Sequence, residues 1–250
     1  GSMDQLDITE KHTGKWSLGE PVDLVASASQ VRTGGLCLKN GEADVCSQLE
    51  WDSNEGVRSS GKGTNLPLAM LDSLLPESVR LRGNLGFDYN FEQTGQKPSA
   101  NATVAWSAGK LTLSGEGGEA RSFNYEAGQF DALLENDKLN FAGGVIIPGY
   151  AEVDASGDLI LSPEDGRHTL DAALKAKAAD LVWLDEFIPE ATLLQGKLSA
   201  EGKVSGPVAS PVIRAEARLQ EGQLKFDRTG ETLDEITLTL KSVADNRFDI

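Results

Sequence analysis

The sequence predicts an all-β fold in which antiparallel strands are stacked as repeats. Three observations carry this prediction: apolar and polar residues alternate along most of the chain, glycines separate the alternating segments, and one stretch recurs further along. Alternation with period two is typical of strands that have one apolar face. A long internal repeat is typical of solenoid-like architectures, whose working surface is a continuous face more often than a compact pocket.

The alternation assigns each side chain to one of two faces. Leu198 and Val204 fall on one side of their segment, and Lys197 and Lys203 fall on the other. The segments predicted as strands are 80–91, 100–106, 111–113, 139–141, 150–155, 159–161, 168–176, 196–206, 212–220 and 235–241. Glycines and their neighbours are predicted to form the turns between them. The predicted turn glycines include Gly95, Gly143, Gly144, Gly149, Gly157, Gly222 and Gly230.

The repeat aligns 68–85 with 181–198, and eight of the eighteen positions are identical. Each copy starts with helical spacing, in 68–75 and 181–188, and each helix is predicted to stop before a proline. The domain prediction follows the repeat. Residues 1–3 are expected to be an expression scar, residues 4–64 a β segment, residues 65–177 the first repeat, and residues 178–250 a second repeat truncated at its C-terminus.

The composition excludes several classes of function. The net charge of −16 repels phosphate backbones, so nucleic-acid binding is not expected. No apolar run approaches the roughly 18–20 residues that span a bilayer. The chain has two cysteines and two histidines, too few for a Cys/His zinc site, so neither a metal nor another cofactor is expected.

Cys37 and Cys46 are candidates for a disulfide. A four-residue hairpin loop over 40–43 would place them directly opposite each other, whereas a tight two-residue turn at Asn40 and Gly41 would misalign them by two positions. A bond here favours an oxidising compartment, and the alternative is two free thiols in the cytosol.

Motifs for catalysis are weak. The segment 56–63 (GVRSSGKG) nearly matches a phosphate-binding loop, but Gly63 stands where a Ser or Thr would hold magnesium, so a polar turn is the preferred interpretation. The acidic pairs Asp72 with Glu77 and Asp185 with Glu190 recur, and are more typical of solvated surface than of paired catalytic carboxylates. We therefore predict a non-enzymatic protein with no catalytic residues.

The apolar faces need cover that two short helices cannot supply. Either the sheet folds over into a sandwich, or the faces line a groove occupied by another apolar molecule. The residues alone favour the sandwich.

A spacing pattern changes that balance. It runs G-x-L-x5-V-x-G-x4-P-x10-G-x-L from Gly196 to Leu224, and the first copy keeps it from Gly83 to Leu111, with Phe91 for the Val and Gln93 for the Gly. Together with the 181–189 helix and the LCLKNGEADVC element, it resembles the TamB family of the AsmA-like superfamily. The resemblance covers most of residues 16–250, and it is carried by the order of helix, proline and strand pair.

The resemblance implies a long curled antiparallel sheet, open along one side and apolar inside (a β-taco). It further implies the periplasmic part of a protein anchored in the inner membrane of a Gram-negative bacterium, and a role in phospholipid transport or in assembly of outer-membrane proteins and autotransporters. The implied partners are phospholipid, a TamA-like outer-membrane barrel protein and outer-membrane protein clients. We expect an interior-to-late stretch of the repeats. The residues expected to line a lipid groove are Leu85, Phe87, Phe91, Val104, Trp106, Leu198, Val204, Ile213 and Leu219.

Overall fold

The structure is a computed structural model that describes residues 1–11, 13–95, 97–114, 120–162, 166–181, 191–226, 229–244 and 247–249. Strands dominate these residues and pair antiparallel, which confirms the predicted fold class. The strands are β1 (Ser2–Met3), β2 (Asp7–Glu10), β3 (Gly14–Leu18), β4 (Val22–Ala26), β5 (Gln30–Asn40), β6 (Ala43–Asp52), β7 (Gly56–Pro67), β8 (Val79–Arg82), β9 (Asn84–Gln93), β10 (Ser99–Trp106), β11 (Gly109–Ser114), β12 (Ala120–Tyr125), β13 (Gly128–Glu135), β14 (Lys138–Ile147), β15 (Ala151–Ile160), β16 (Thr169–Ala178), β17 (Ala191–Pro207), β18 (Val212–Phe226), β19 (Thr232–Ala244) and β20 (Arg247–Asp249).

The helix predicted at the start of the first repeat is present in a tighter form. A 3₁₀ helix spans Leu68–Ser73, and the backbone N–H of Leu74 donates to the carbonyl of Leu71 over 2.9 Å. Pro67 precedes it in an extended conformation, and Pro76 follows closely. The eight residues between these two prolines leave little room for α-helical bonds, which makes the 3₁₀ form the natural outcome. The helix predicted at 181–188 lies almost entirely outside the described residues.

The chain forms two compact units. Unit 1 combines Gly1–Gly109 with Ala127–Phe141, and unit 2 combines Lys110–Glu126 with Ala142–Ile250. These divisions follow spatial contacts and not sequence similarity, so the repeat boundaries at residues 65 and 178 remain a prediction. Ser2–Met3, expected to belong to an expression scar, pairs with β4.

Unit 1 is an antiparallel sheet in which β4, β5, β6, β7, β9, β10 and β13 follow one another. The strand β3 pairs with both β2 and β5. In unit 2 the order β15, β16, β17, β18, β19, β20 is also the order of the chain. Because side chains alternate between faces, these registers fix which residues share a side of each sheet.

Several glycines predicted to form turns lie inside strands instead, so that part of the prediction is wrong. Gly144 is within β14, Gly157 within β15 and Gly222 within β18. A Cβ atom on Gly157 would lie 2.7 Å from the Cα of Ala172 on the neighbouring strand. Glycine is therefore used at this position for close approach of two backbones.

The polar turn predicted for 56–63 is also wrong, since these residues begin β7. The strand pairs along its length with β6 and β9, so its backbone amides serve the sheet and do not form a phosphate cradle. Two bulged positions, Asn65 in β7 and Glu221 in β18, have a φ of 53°. Each lies where the strand register shifts, between Gly63 and Leu66 in β7 and between Leu219 and Gly222 in β18. The extra residue keeps the residues before and after the bulge on the same face of the sheet.

Two pairs of repeat-equivalent residues have matching environments. Leu68 is 6% exposed and its counterpart Leu181 is 2% exposed. Gly83 has a φ of 145° and its counterpart Gly196 a φ of 142°, a conformation that L-residues rarely adopt. In the first copy this glycine separates β8 from β9, whereas in the second it lies within the long strand β17.

Candidate functional site

In unit 1 the apolar side chains collect on one side of the sheet, which we call the first apolar face. A single row across six strands shows its composition. The row contains Leu38, Val45, Gly63, Phe87, Val104 and Phe130, each directly opposite the next. Neighbouring rows on the same face contain Leu85 opposite Trp106, and Phe91 opposite Ala100. All five unit 1 residues predicted from the sequence to line a groove therefore lie on this face.

Unit 2 has its own apolar side, the second apolar face. One row contains Ala151, Ala178, Leu198, Leu219 and Leu238. Another row places Val204 between Ala172 and Ile213. The four unit 2 residues predicted to line a groove thus share a face, and alanine and leucine residues lie opposite them.

The nine predicted groove residues are all partly exposed to solvent. Ile213, for example, is 39% exposed, and its unit 2 neighbour Leu174 is 48% exposed. The inner face of a closed sandwich would consist of fully buried side chains. Both apolar faces are consequently uncovered along most of their length, contrary to the sandwich that the residues alone favoured.

Each apolar face is closed at one end. In unit 1, Trp16, Ala43 and Leu66 form a buried cluster against which Leu85 and Phe87 pack. The indole N–H of Trp16 donates to Thr13 Oγ1 over 2.9 Å, which satisfies its polar atom.

In unit 2 the buried apolar side chains among the described residues include Phe123, Tyr125, Ala178 and Leu181, and the rings of Phe123 and Tyr150 meet edge to face with centroids 4.9 Å apart. Burial raises the pKa of Tyr125. Ala178 lies directly opposite Leu198. The closed end in each unit therefore adjoins the repeat-equivalent residues Leu85 and Leu198.

The opposite side of each sheet is polar and laced with ion pairs. In unit 1, Arg32 lies 2.7 Å from Glu50 and Arg58 lies 3.1 Å from Glu92. In unit 2, Lys203 lies 3.0 Å from Asp171. These pairs are exposed and each contributes little to stability, but their charges keep that side of the sheet hydrated. A cavity of about 450 Å³ lies among residues of both sides of the sheet, including Arg58 and Glu92 from the polar side and Phe91 from the first apolar face.

The structure joins Cys37 and Cys46 by a disulfide. The two residues lie directly opposite each other in the β5–β6 pair, in the register that the longer of the two predicted loops requires. Cys46 is also opposite Lys62, on the polar side of the sheet. The bond therefore leaves the first apolar face unobstructed.

The list of residues predicted to line the groove omitted Tyr89, although the alternation puts it on the apolar side of its strand, and it also omitted Phe130. Tyr89 lies between Phe87 and Phe91 on the same strand, and its ring covers Gly61 of β7. Phe130 ends the row that begins at Leu38, and its ring lies 6.1 Å from that of Phe141. The spacing of Gly61 and Gly63 matches that of Tyr89 and Phe87, and this common period of two was the available signal.

In the acidic pair of the first repeat, Asp72 lies 3.1 Å from the guanidinium of Arg82. Asp185 and Glu190 lie outside the described residues. Within the described ranges, no cluster of three or more His, Cys, Asp or Glu side chains is arranged to hold a metal ion. The described helix is also too short to cross a membrane, and no other described segment forms a membrane-spanning helix.

The fold and the faces define an all-β protein in which each of the two units has a partly exposed apolar side. Comparison with known families is specific: residues 1–219 match the family model described as TamB, N-terminal domain. The chain belongs to the TamB family, which is part of a complex of the Gram-negative envelope. The match is to the N-terminal domain, so it does not support the expected interior-to-late position in the repeats. No curated protein and no solved structure matches the chain.

Proposed function

We propose that this chain is a periplasmic segment of a non-enzymatic conduit, whose apolar faces hold phospholipid acyl chains between the inner and outer membranes. Its parent would be anchored in the inner membrane and would meet a TamA-like barrel protein at the outer membrane. Family membership supports a TamB-type role in general. One structural observation supports the lipid in particular: nine apolar side chains on two sheet faces remain partly exposed to solvent.

An uncovered apolar face of this kind costs free energy in water, and an acyl chain would relieve that cost. Each methylene transferred from water contributes about 0.8 kcal/mol, so a chain can be retained without any specific polar contact. The faces are built from aliphatic, aromatic, alanine and glycine residues, with few groups that a lipid tail would have to desolvate. Such a surface holds a chain without fixing its position, which suits movement along the sheet.

The test is a charge placed on the second apolar face. Val204 is the better site, because its neighbour Ile213 is 39% exposed and an arginine there can reach water. We expect Val204→Arg to keep a near-normal thermal midpoint and to block phospholipid delivery to the outer membrane by the full-length protein. Lys203→Arg, on the polar side of the same strand, is the matched control and should leave both measurements unchanged.

Leu198→Arg supplies a second reading, since Leu198 lies opposite Ala178, which is only 6% exposed. Charge at this closed end should lower the thermal midpoint more than charge at Val204, because a buried unpaired charge is costly. Normal lipid delivery by a folded Val204→Arg protein would contradict the conduit. It would favour the alternative role, a scaffold for outer-membrane barrel proteins and autotransporters, which crosslinks from edge strands to nascent clients would then establish.

A further inference from the structure

The aromatic residues of the first apolar face lie over glycines of the neighbouring strand. A Cβ atom built on Gly63 would lie 2.8 Å from Cδ1 of Phe87, and one on Gly61 would lie 3.0 Å from Cζ of Tyr89. The same holds for Gly128, whose Cβ would lie 2.6 Å from Cζ2 of Trp106. In each case the ring occupies the space above a backbone that carries no side chain.

Register explains why these contacts form. Gly63 is directly opposite Phe87, Gly61 is opposite Tyr89, and Gly128 is opposite Trp106. An aromatic ring opposite glycine can fold down across the next strand, and this covers backbone that would otherwise be exposed. The ring centroids of Phe87 and Tyr89 are 6.3 Å apart and the ring planes are inclined by only 25°, so the two rings are nearly parallel.

Hydrogen bonds fasten the Tyr89 ring in this orientation. Its hydroxyl lies 3.1 Å from Ser47 Oγ on β6 and 3.1 Å from Ser59 Oγ on β7. Ser59 also donates to the carbonyl of Gln48 over 3.1 Å. The ring therefore extends from β9 across Gly61 to β6, and its polar atom is satisfied within the sheet rather than exposed to a passing acyl chain.

We infer that the glycines opposite Phe87 and Tyr89 set the depth of the first apolar face, and thereby decide whether a phospholipid acyl chain can lie along it. This inference rests on the proposed conduit function. With Gly63 in place, the ring of Phe87 lies low and presents its exposed side as a flat surface. An alanine at this position would occupy the space of the ring, which would have to turn upward into the path of the chain.

The test uses the 250-residue protein and vesicles of phosphatidylethanolamine and phosphatidylglycerol. Phospholipid bound per chain is measured after separation from the vesicles, together with the thermal midpoint. Gly63→Ala should bind on the order of tenfold less tightly, the loss expected if about two methylenes lose contact with the face. Gly35→Ala is the matched control, because a Cβ on Gly35 of β5 meets nothing within 4 Å.

A double variant distinguishes loss of lipid binding caused by the upturned ring from loss caused by destabilisation of the fold. In the double variant Gly63→Ala with Phe87→Leu, the upturned ring is replaced by a smaller side chain, and lipid binding should return toward the wild-type level. Wild-type binding by Gly63→Ala would overturn the inference. So would a folded double variant that still fails to bind. If Gly63→Ala itself does not fold, Gly61→Ala with and without Tyr89→Leu gives the same comparison.

A second probe distinguishes failure of this inference from failure of the proposed function. Anilinonaphthalene sulfonate reports accessible apolar surface whether or not phospholipid is the natural ligand. If the wild-type protein binds no phospholipid, the conduit proposal falls. The assignment of depth would then be tested by the dye alone, which should bind more to Gly63→Ala than to the wild type and to Gly35→Ala, because the upturned ring exposes additional apolar area. Equal dye binding by all three would overturn it.

Discussion

The two units build their apolar faces from different residue types. Unit 1 uses large rings that fold over glycines, as Phe87 does over Gly63. Unit 2 uses small side chains, with Ala176, Ala200 and Ala217 directly opposite one another in one row. The comparison teaches that an apolar face is the property the two units share, while the residue types that form it differ.

The largest expected effect concerns Leu68 and Leu181, the repeat-equivalent residues that are buried in both units. Leu68→Ala and Leu181→Ala each remove a buried side chain and leave a cavity, so each should cost about 2–4 kcal/mol of unfolding free energy. Denaturant unfolding of the two variants measures this directly. A difference of several-fold between them would break the equivalence of the two repeats, because their burial of 6% and 2% predicts similar losses.

The next effect belongs to unit 1, which contains both cysteines of the chain. Replacing Cys37 and Cys46 together by serine should cost roughly 2–3 kcal/mol, since the bond closes a short loop and restricts the unfolded chain. The fold should persist, because β5 and β6 are also paired through their backbones. Titration of unreduced, unfolded protein should find no free thiol; two thiols per chain would exclude the bond.

A smaller effect sharpens the comparison within β17. Gly196→Ala should cost about 1–3 kcal/mol, because its φ of 142° strains an alanine. The added Cβ would also lie 2.9 Å from Cδ1 of Leu219. Gly202→Ala is the control, since its nearest neighbour is 3.9 Å away and its φ is ordinary. Equal thermal midpoints for the two variants would show that the positive φ of Gly196, which Gly83 shares, does not require glycine for stability.

The smallest effect is a dependence on pH in unit 2. A hydrogen bond from Arg218, its charge, and the charge of Lys241 hold the pKa of Glu216 below its ordinary value. A lowered acid pKa stabilises the folded state above the unfolded pKa, and the contribution disappears as pH falls through the folded value. Glu216→Gln should therefore flatten the stability profile slightly below about pH 4. A profile unchanged by the substitution would show that these exposed charges are fully screened.

The sequence was sufficient where one rule acts locally. Alternation placed Leu198 and Val204 on the face opposite Lys197 and Lys203, and pairing with β16 and β18 keeps them there. It failed where a residue acts across strands. Gly157 looks like a turn in one dimension, but its role depends on Ala172 in the next strand.

Shifts in strand register were the second feature that the sequence pattern could not predict. Asn65 adds one residue to β7, and this moves Leu66 onto the face that already carries Gly63. A pattern of period two cannot reveal such a shift without knowledge of the partner strand. The short helix was predicted over 68–75 and is observed over Leu68–Ser73, and its 3₁₀ form depends on the close flanking prolines.

The order of pairing in unit 2 has a consequence for how the chain acquires its structure. From β15 to β20 each strand pairs with the one that follows it in the chain, so most contacts join segments that are near in sequence. Low contact order favours rapid folding without a wait for distant segments. Such a meander can be completed one hairpin at a time while the rest of the polypeptide is still unfolded. Pulse-labelling hydrogen exchange during refolding should show protection that appears in adjacent hairpins independently, and unit 2 would then need no finished C-terminus to begin its assembly.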